Sequence, residues 1–549
     1  MSAARTPGVA KRSTLICCLV AATPILGVAA AGCGSKSGAG APQDNPAATL
    51  YGASAYPWTA GVRWQCAYVV TDFAGASDDA RFEAAQAAAV ADGGGVVFFP
   101  AGSYSFAANI SLASNVVVRG APVPPSARAK IGKLPGNLSP TTVFNCPNRA
   151  HQGLWNFDAA ATNLGVVNVL LDQCAVMLWP SLKTSSFSPM LSNWWFSASD
   201  INGMGSNKIV LGNVVRDVSL GQSLLGPKYK NVYPYIFSIA VGVYTDRNAL
   251  VANNLLPPST RSETTKITLA SGSETVPYMY DNRYGIDVNS ILLGAVAGAY
   301  CKGAGSKCGT PSAFGGLFPA CAAWNFRSGI AIRDNYVAQN GRVGISFTGG
   351  ADDKLCTPGS GTQLLNNHVE VRAGTTCYTI SGDDDPRGSD TNENRAYSKY
   401  EANSTLPHFK PSYPCHQSSS GNAACPPTVN SGYCSNMTGN TGHSNRQMAG
   451  KSGYETVDGE GILHQSENGN SAFGDVYANN DLSGGGSGYI GVWDLPFTNY
   501  TVFTNNKVNS DQQIGVISIQ GSDTVGPGVY CSGNTPPAII GKAPCPSKA

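Results

Sequence analysis

The stretch SDDARFEAAQAAAVADGGGVVFFPAGSYSFAANISLASNVVVRG, Ser77–Gly120, decides the fold. Ser77 or Asp78 offers a side-chain oxygen to the orphan amides at the start of an Ala-rich helix, and Gly93–Gly95 end it. VVFFP, YSF, ISL and NVVVRG then follow as short apolar strands parted by turns. One helix leading into a ladder of short strands is the local plan.

Downstream the strands keep returning beside asparagine. KIVLGNVV, LVANNLL, AIRDNYV, QLLNNHV, VYANNDL and TVFTNNKV share an apolar run, an Asn and another apolar residue. YGIDVN, SGIAIR, VGISFT and IGVISIQ form a second recurring type. A degenerate repeat of this kind predicts a solenoid, in which each coil hides its apolar face only by stacking on the next. Stacked Asn side chains can bond along the axis and to turn backbone, so most asparagines are expected to be structural.

The order Asp78-Asp79, Ala/Gln helix, Gly94-Gly95-x-Val97-x-Phe99-Pro100, then Gly102-x-Tyr104 resembles the opening of the rhamnogalacturonase, epimerase-like and pectate-lyase-like superfamily. The resemblance implies an all-β chain, a right-handed parallel β-helix whose short N-terminal helix covers the open end. It fixes architecture and not chemistry, because hydrolases, lyases, epimerases and viral tailspikes share that opening.

The totals narrow the function classes. Of 549 residues 13% are charged, and the formal net charge is +2. No strong global field recommends nucleic acid or an anionic membrane as partner. There is no phosphate-cradling glycine loop and no dense basic tract.

Residues 1–32 read as an export signal, with Arg5, Lys11 and Arg12 before the apolar run LICCLVAATPILGVAAAG. AAGC, Ala30–Cys33, resembles the bacterial lipobox. That resemblance makes Cys33 a lipid-attachment site and the lipid the only tie to a membrane, with plain signal cleavage as the alternative. The protein is therefore expected outside the cytoplasm, as a cell-envelope lipoprotein or a secreted monomer. Residues 33–59 read as a flexible tether. Sixteen cysteines, two of them in the signal, fit disulfide staples in an exported chain. The close spacings Cys301/Cys308, Cys415/Cys425/Cys434 and Cys531/Cys545 are the natural candidates.

Residues 60–549 are expected to form one β-helical domain, interrupted by a polar, Cys-containing insertion near 381–454 and a second excursion over 295–323. Loops from adjacent coils would wall a trough along the axis, a shape that suits a linear polymer.

Charge scarcity draws attention to ETVDGEGILHQ, Glu455–Gln465. Aligned with YGIDV, SGIAI and VGISF, it sets Ile462 inward and His464 opposite Val288, Ile332 and Phe347, all core positions. The other register points Asp458, Glu460, Ile462 and His464 outward together. Both keep the two acids out of the apolar core. Two carboxylates near the span needed by an inverting glycoside hydrolase define the catalytic expectation: Glu460 as acid, Asp458 as base, and His464 orienting a carboxylate or a sugar hydroxyl. The alternative is that the acids are turn residues and His464 a satisfied edge residue.

Trp194, Trp195 and Trp493 are candidate sugar-stacking platforms, against core packing as the alternative. SGDDDPRGSD offers Asp383, Asp384 and Asp385 as hard oxygen ligands for Ca2+, against a solvated loop, with Arg387 beside them as a substrate contact. No cofactor is required for hydrolysis. Three functions compete: an exported polysaccharide hydrolase, a lyase using Arg333, Arg387, Lys451 or calcium against a uronate, and a non-catalytic glycan-binding or adhesive surface protein.

Overall fold

A computed structural model describes residues 33, 41–108, 110–124, 138–146, 155–157, 161–178, 205–218, 239–245, 247–257, 264–269, 272–277, 282–289, 329–337, 340–348, 363–371, 435–438, 441–444, 460–465, 472–473, 475–482, 489–493, 498–499, 502–508, 517–519, 530–535, 539–540, 543–544 and 547. Among the described residues the chain winds through three long sheets of 12, 10 and 9 strands, parallel except for the closing pair Ile539–Ile540 and Ala543–Pro544. One coil runs from Ser206–Leu211 in the first sheet to Val214–Arg216 in the second and Ile239–Tyr244 in the third. The next repeats the order with Arg247–Ala252, Leu255–Leu256 and Asn282–Asn289, and each strand pairs in parallel with its predecessor. The architecture is a right-handed parallel β-helix, as the Ser77–Gly120 stretch implied.

The core follows from strand alternation. Val97, Val118, Val166, Val210, Val251, Ile332 and Leu364 stand in one inward column of the first sheet, and all are sealed from solvent. Each such side chain gains about 1.5–3 kcal/mol from burial, but only because the coils above and below cover it.

The doubled asparagines make the turn from first to second sheet. In the pairs Asn253-Asn254, Asn366-Asn367, Asn479-Asn480 and Asn505-Asn506 the first residue has positive φ, a conformation Asn tolerates well. Gly212 and Asp334 take its place in two other coils. The second residue points inward. Asn213, Asn254, Asn335 and Asn367 form a buried ladder in which each side-chain amide donates to the next Oδ1 at 2.9–3.1 Å. A second ladder, Asn248 to Asn207 to Asn163 to Asn115, runs up the entrance of the first sheet.

Helix α1 spans Pro46–Tyr51, and helix α2 spans Asp78–Ala91 with Ser77 as its N-cap. Helix α2 buries Phe82, Ala85 and Ala89 and lies at the N-terminal end of the coil, where Phe82, Phe99, Phe106 and Phe144 form an aromatic cluster.

Three expectations change. The tether is not one over residues 41–59: α1 and the turn after it pack on the outer face of the first sheet, with Ala47, Val62 and Trp64 set against Val96, Val117, Ile209, Leu211 and Leu250. That face is apolar and needs a cover, which the N-terminal arm provides. The insertion near 381–454 is not continuous, because Ser435–Thr438 and Thr441–Ser444 are rung strands of the first and second sheets. SGIAIR belongs with the first sheet, through Ile330–Arg333, while YGIDVN, VGISFT and IGVISIQ belong to the third. The expected export signal at 1–32 and the excursion at 295–323 lie outside the described residues.

Candidate functional site

The third sheet carries the candidate stretch. Its strands Asn282–Asn289, Asn340–Thr348, Glu460–Gln465 and Tyr489–Trp493 lie side by side. Ile462 pairs with Ile345 and His464 with Phe347, which in turn pairs with Val288. Ile345, Phe347 and Val288 are fully buried, and Ile462 and His464 lie in register with them. His464 therefore occupies a column whose described members form the core.

Glu460 is different. It pairs with Tyr489 while Ile462 pairs with Ile490, so the Glu460 strand carries one extra residue there. A bulge breaks strict alternation and re-aims the residues beside it, and such irregularities are frequent next to active sites. A similar shift between Asn282 and Tyr284 marks the same end of the sheet two strands away.

Between the inward residues Ile286 and Val288 stands Asp287, which alternation turns to the outer face. Its column runs Met177, Gly242, Asp287, Ser346, Leu463, Gly491 and Ser518. Asp287 is only 1% exposed, so the outer face is covered at this rung. Sequence reasoning missed this carboxylate. The signal was present in YGIDVN, where one acid interrupts an apolar strand at an outward position.

Trp493 ends the neighbouring strand and pairs with Gln465. Asp458, Trp194, Trp195, Arg387, Lys451 and the Asp383–Asp385 triplet lie outside the described residues. Among the described residues no group of three or more His, Cys, Asp or Glu is placed to hold a metal ion.

Arg333, a candidate cation for elimination, is on the first sheet and committed to the arm. Its guanidinium lies 4.3 Å over the Tyr51 ring and bonds to Asp334 Oδ2 at 2.9 Å and Tyr56 Oη at 3.3 Å. Burial opposes its charge, but the hydrogen bond to Tyr56 and the nearby Asp334 and Tyr51 hold its proton more firmly than usual. Burial and Asp334 likewise raise the Tyr51 hydroxyl pKa.

Cys33 Sγ is joined to Cys66 Sγ, clipping the start of the arm to the first coil. A sulfur in a disulfide has no valence for a lipid thioether, so the two states exclude one another. Cys146 and Cys174 form a second disulfide, and Cys531 is also disulfide-bonded. No helix among the described residues is long and apolar enough to cross a membrane.

No protein-family model and no curated protein matches the chain. Solved structures do. The catalytic domain of Agl-KA aligns at 13% identity and a TM-score of 0.35 over 84% of this chain, which spans 65% of that domain. The A-module of the Azotobacter vinelandii mannuronan C-5 epimerase AlgE4 aligns at 11% identity and a TM-score of 0.30, covering 88% of this chain and all of that one. The Streptococcus pneumoniae surface adhesin PfbA aligns at 14% identity and a TM-score of 0.35, covering 85% and 84%. The neighbours are parallel β-helix proteins, the class to which this winding belongs.

Proposed function

We propose that the chain is an exported carbohydrate-active enzyme that hydrolyses a polysaccharide lying along the outer face of the third sheet. The observation that carries this reading is the bulge at Glu460, an acid set where strand alternation fails at the start of a strand of the third sheet. Glu460 is the acid that protonates the departing glycosidic oxygen, and Asp458, two residues earlier, is the base that activates water. His464, in register with Phe347, receives no proton-transfer role in this reading. Trp493, with Trp194, Trp195 and Arg387, supplies sugar contacts, and any Ca2+ at Asp383–Asp385 serves loop structure.

Elimination is less well supported, because Arg333 is held under the arm by Tyr51, Tyr56 and Asp334. The deciding experiment incubates the purified exported chain with neutral and acidic polysaccharides and follows reducing ends together with ultraviolet absorbance from unsaturated uronate. Hydrolysis raises reducing ends alone. A rise in both signals assigns a lyase, and retention of polymer with neither signal assigns an adhesive protein.

A further inference from the structure

The second sheet carries a cluster of imidazole and carboxylate residues that the third-sheet site does not use. Its strands Tyr336–Val337, His368–Val371, Thr441–Ser444 and Asp481–Leu482 lie side by side. Val337 and Val369 pair and are sealed in the core, and Gly442 pairs with Val369. Alternation therefore sets His368, Glu370, Thr441 and His443 on the outer face. His368 pairs with Thr441, and Glu370 pairs with His443. Glu370 and His443 enter by strand position alone, their side chains lying outside those described.

The three positions make a triangle. His368 and Glu370, two residues apart on one strand, have Cα atoms about 6.5–7 Å apart, and Glu370 and His443, opposite on neighbouring strands, about 4.8 Å. His368 and His443 then lie about 8 Å apart across the diagonal. Two imidazoles and one carboxylate can meet at one ion from such a triangle, each with a metal–ligand distance of about 2.0–2.2 Å. Six histidines serve 549 residues and 13% of the chain is charged, so two histidines and a glutamate on adjoining rungs of one face are not a by-product of composition. His368 is half-buried, and its ring stacks on Tyr336 with centroids 5.1 Å apart and planes at 22°. Tyr336 belongs to the preceding strand and His443 to the following one, so the imidazole is braced on the side away from His443. Asp481 pairs with Thr441 and adds an acid beside the cluster. Lys507, next in that column, is three strands from His368, about 14 Å, too far to occupy the site.

We propose that His368, Glu370 and His443, brought together on adjoining strands of the second sheet, form a binding site for one divalent transition ion of the Zn2+ type. Two nitrogen ligands and one oxygen suit a borderline-soft ion rather than Ca2+, which takes about six to eight oxygens. Three protein ligands leave a fourth position for water. The site stands apart from the Ca2+ expectation at Asp383–Asp385 and from the third-sheet acids, so it does not depend on Glu460 being the acid.

The full exported chain without an affinity tag, stripped by dialysis against a chelator, is titrated with Zn2+ by calorimetry and with Co2+ by visible absorption. One saturable equivalent and a cobalt spectrum without thiolate charge transfer are expected. Glu370→Gln, His443→Gln and His368→Ala are each expected to weaken Zn2+ binding at least about tenfold, since loss of even an outer-shell partner costs about 10–100-fold. The two glutamine variants keep a polar side chain at an outer strand position, and circular dichroism checks that each variant folds. Glu460→Gln is expected to leave Zn2+ binding unchanged, which separates this site from the third-sheet acid. No saturable Zn2+ binding, a thiolate signature in the cobalt spectrum, or undiminished binding in the folded Glu370→Gln and His443→Gln variants overturns the proposal.

Discussion

Arg119 Nη2 lies 2.7 Å from Asp44 Oδ1, joining the second coil to the N-terminal arm across 75 residues of sequence. The arginine is 2% exposed and the aspartate 47%. A guanidinium sealed under the arm needs its anion, and the arm needs a latch. The apolar column Val96, Val117, Ile209 and Leu250 would otherwise face water.

Asp44→Asn is expected to cost about 1 kcal/mol of stability, less than a fully buried pair because Asp44 remains half in solvent. The folded-state pKa of Asp44 lies below its ordinary 3.8. Its contribution is therefore fully present above that value and lost as pH falls through the lower, folded-state value. Thermal melts should show wild type above Asp44→Asn at pH 7, with the gap closing below about pH 4. A gap independent of pH would refute the latch.

The inner asparagine ladder makes a stronger demand. Asn254 donates to the Val210 carbonyl and to Asn335 Oδ1, both at 3.0 Å, and its own Oδ1 accepts from the Asn213 amide at 3.0 Å. Asn254→Leu strands buried partners on both neighbouring coils, each costing about 1–3 kcal/mol. The expected loss is about 3 kcal/mol or more by urea unfolding, whereas Asn248→Leu, on the half-exposed outer ladder, should cost markedly less.

These ladders show what the sequence exposes and what it hides. Repetition of NN, GN and DN beside apolar runs makes the solenoid legible, because each coil solves the same turn problem with the same residues. The facing of Glu460–Gln465 is open in the sequence, since Ile462 and His464 satisfy either face locally, and only strand pairing sets them beside the buried Ile345 and Phe347. The arm is hidden for a different reason. Its polar, Gly- and Pro-containing lead looks like a linker, and the surface that folds it lies on strands up to about 280 residues away, as with Tyr51 and Asp334. Asp287 is hidden because an acid inside one apolar strand carries no signal until its neighbours Ile286 and Val288 are known to be buried.

Cys33 gives a chemical test of the chain's start. If the mature protein carries the Cys33–Cys66 bond, a non-reducing peptide map contains that cross-linked pair and no lipid mass on the N-terminal peptide. Cys66→Ala should then free the arm and destabilise the fold by about 3–4 kcal/mol, the range for a closed loop of this length. A diacylated Cys33 with a free Cys66 thiol in protein taken from the envelope would contradict the disulfide.

The catalytic reading rests on carboxylates, and substitutions that change charge and not shape test it most directly. Glu460→Gln removes the acid while leaving the bulged backbone in place, and turnover should fall by about 10²–10⁴-fold with little change in melting temperature. Asp287→Asn serves as the contrast. Asp287 is buried on the outer column two strands from Leu463, so if it only braces that face, its loss should lower stability more than turnover. If Asp287→Asn abolishes turnover in a folded protein while Glu460→Gln leaves it unchanged, the acid belongs at Asp287, and the bulge at Glu460 shapes the face without doing the chemistry.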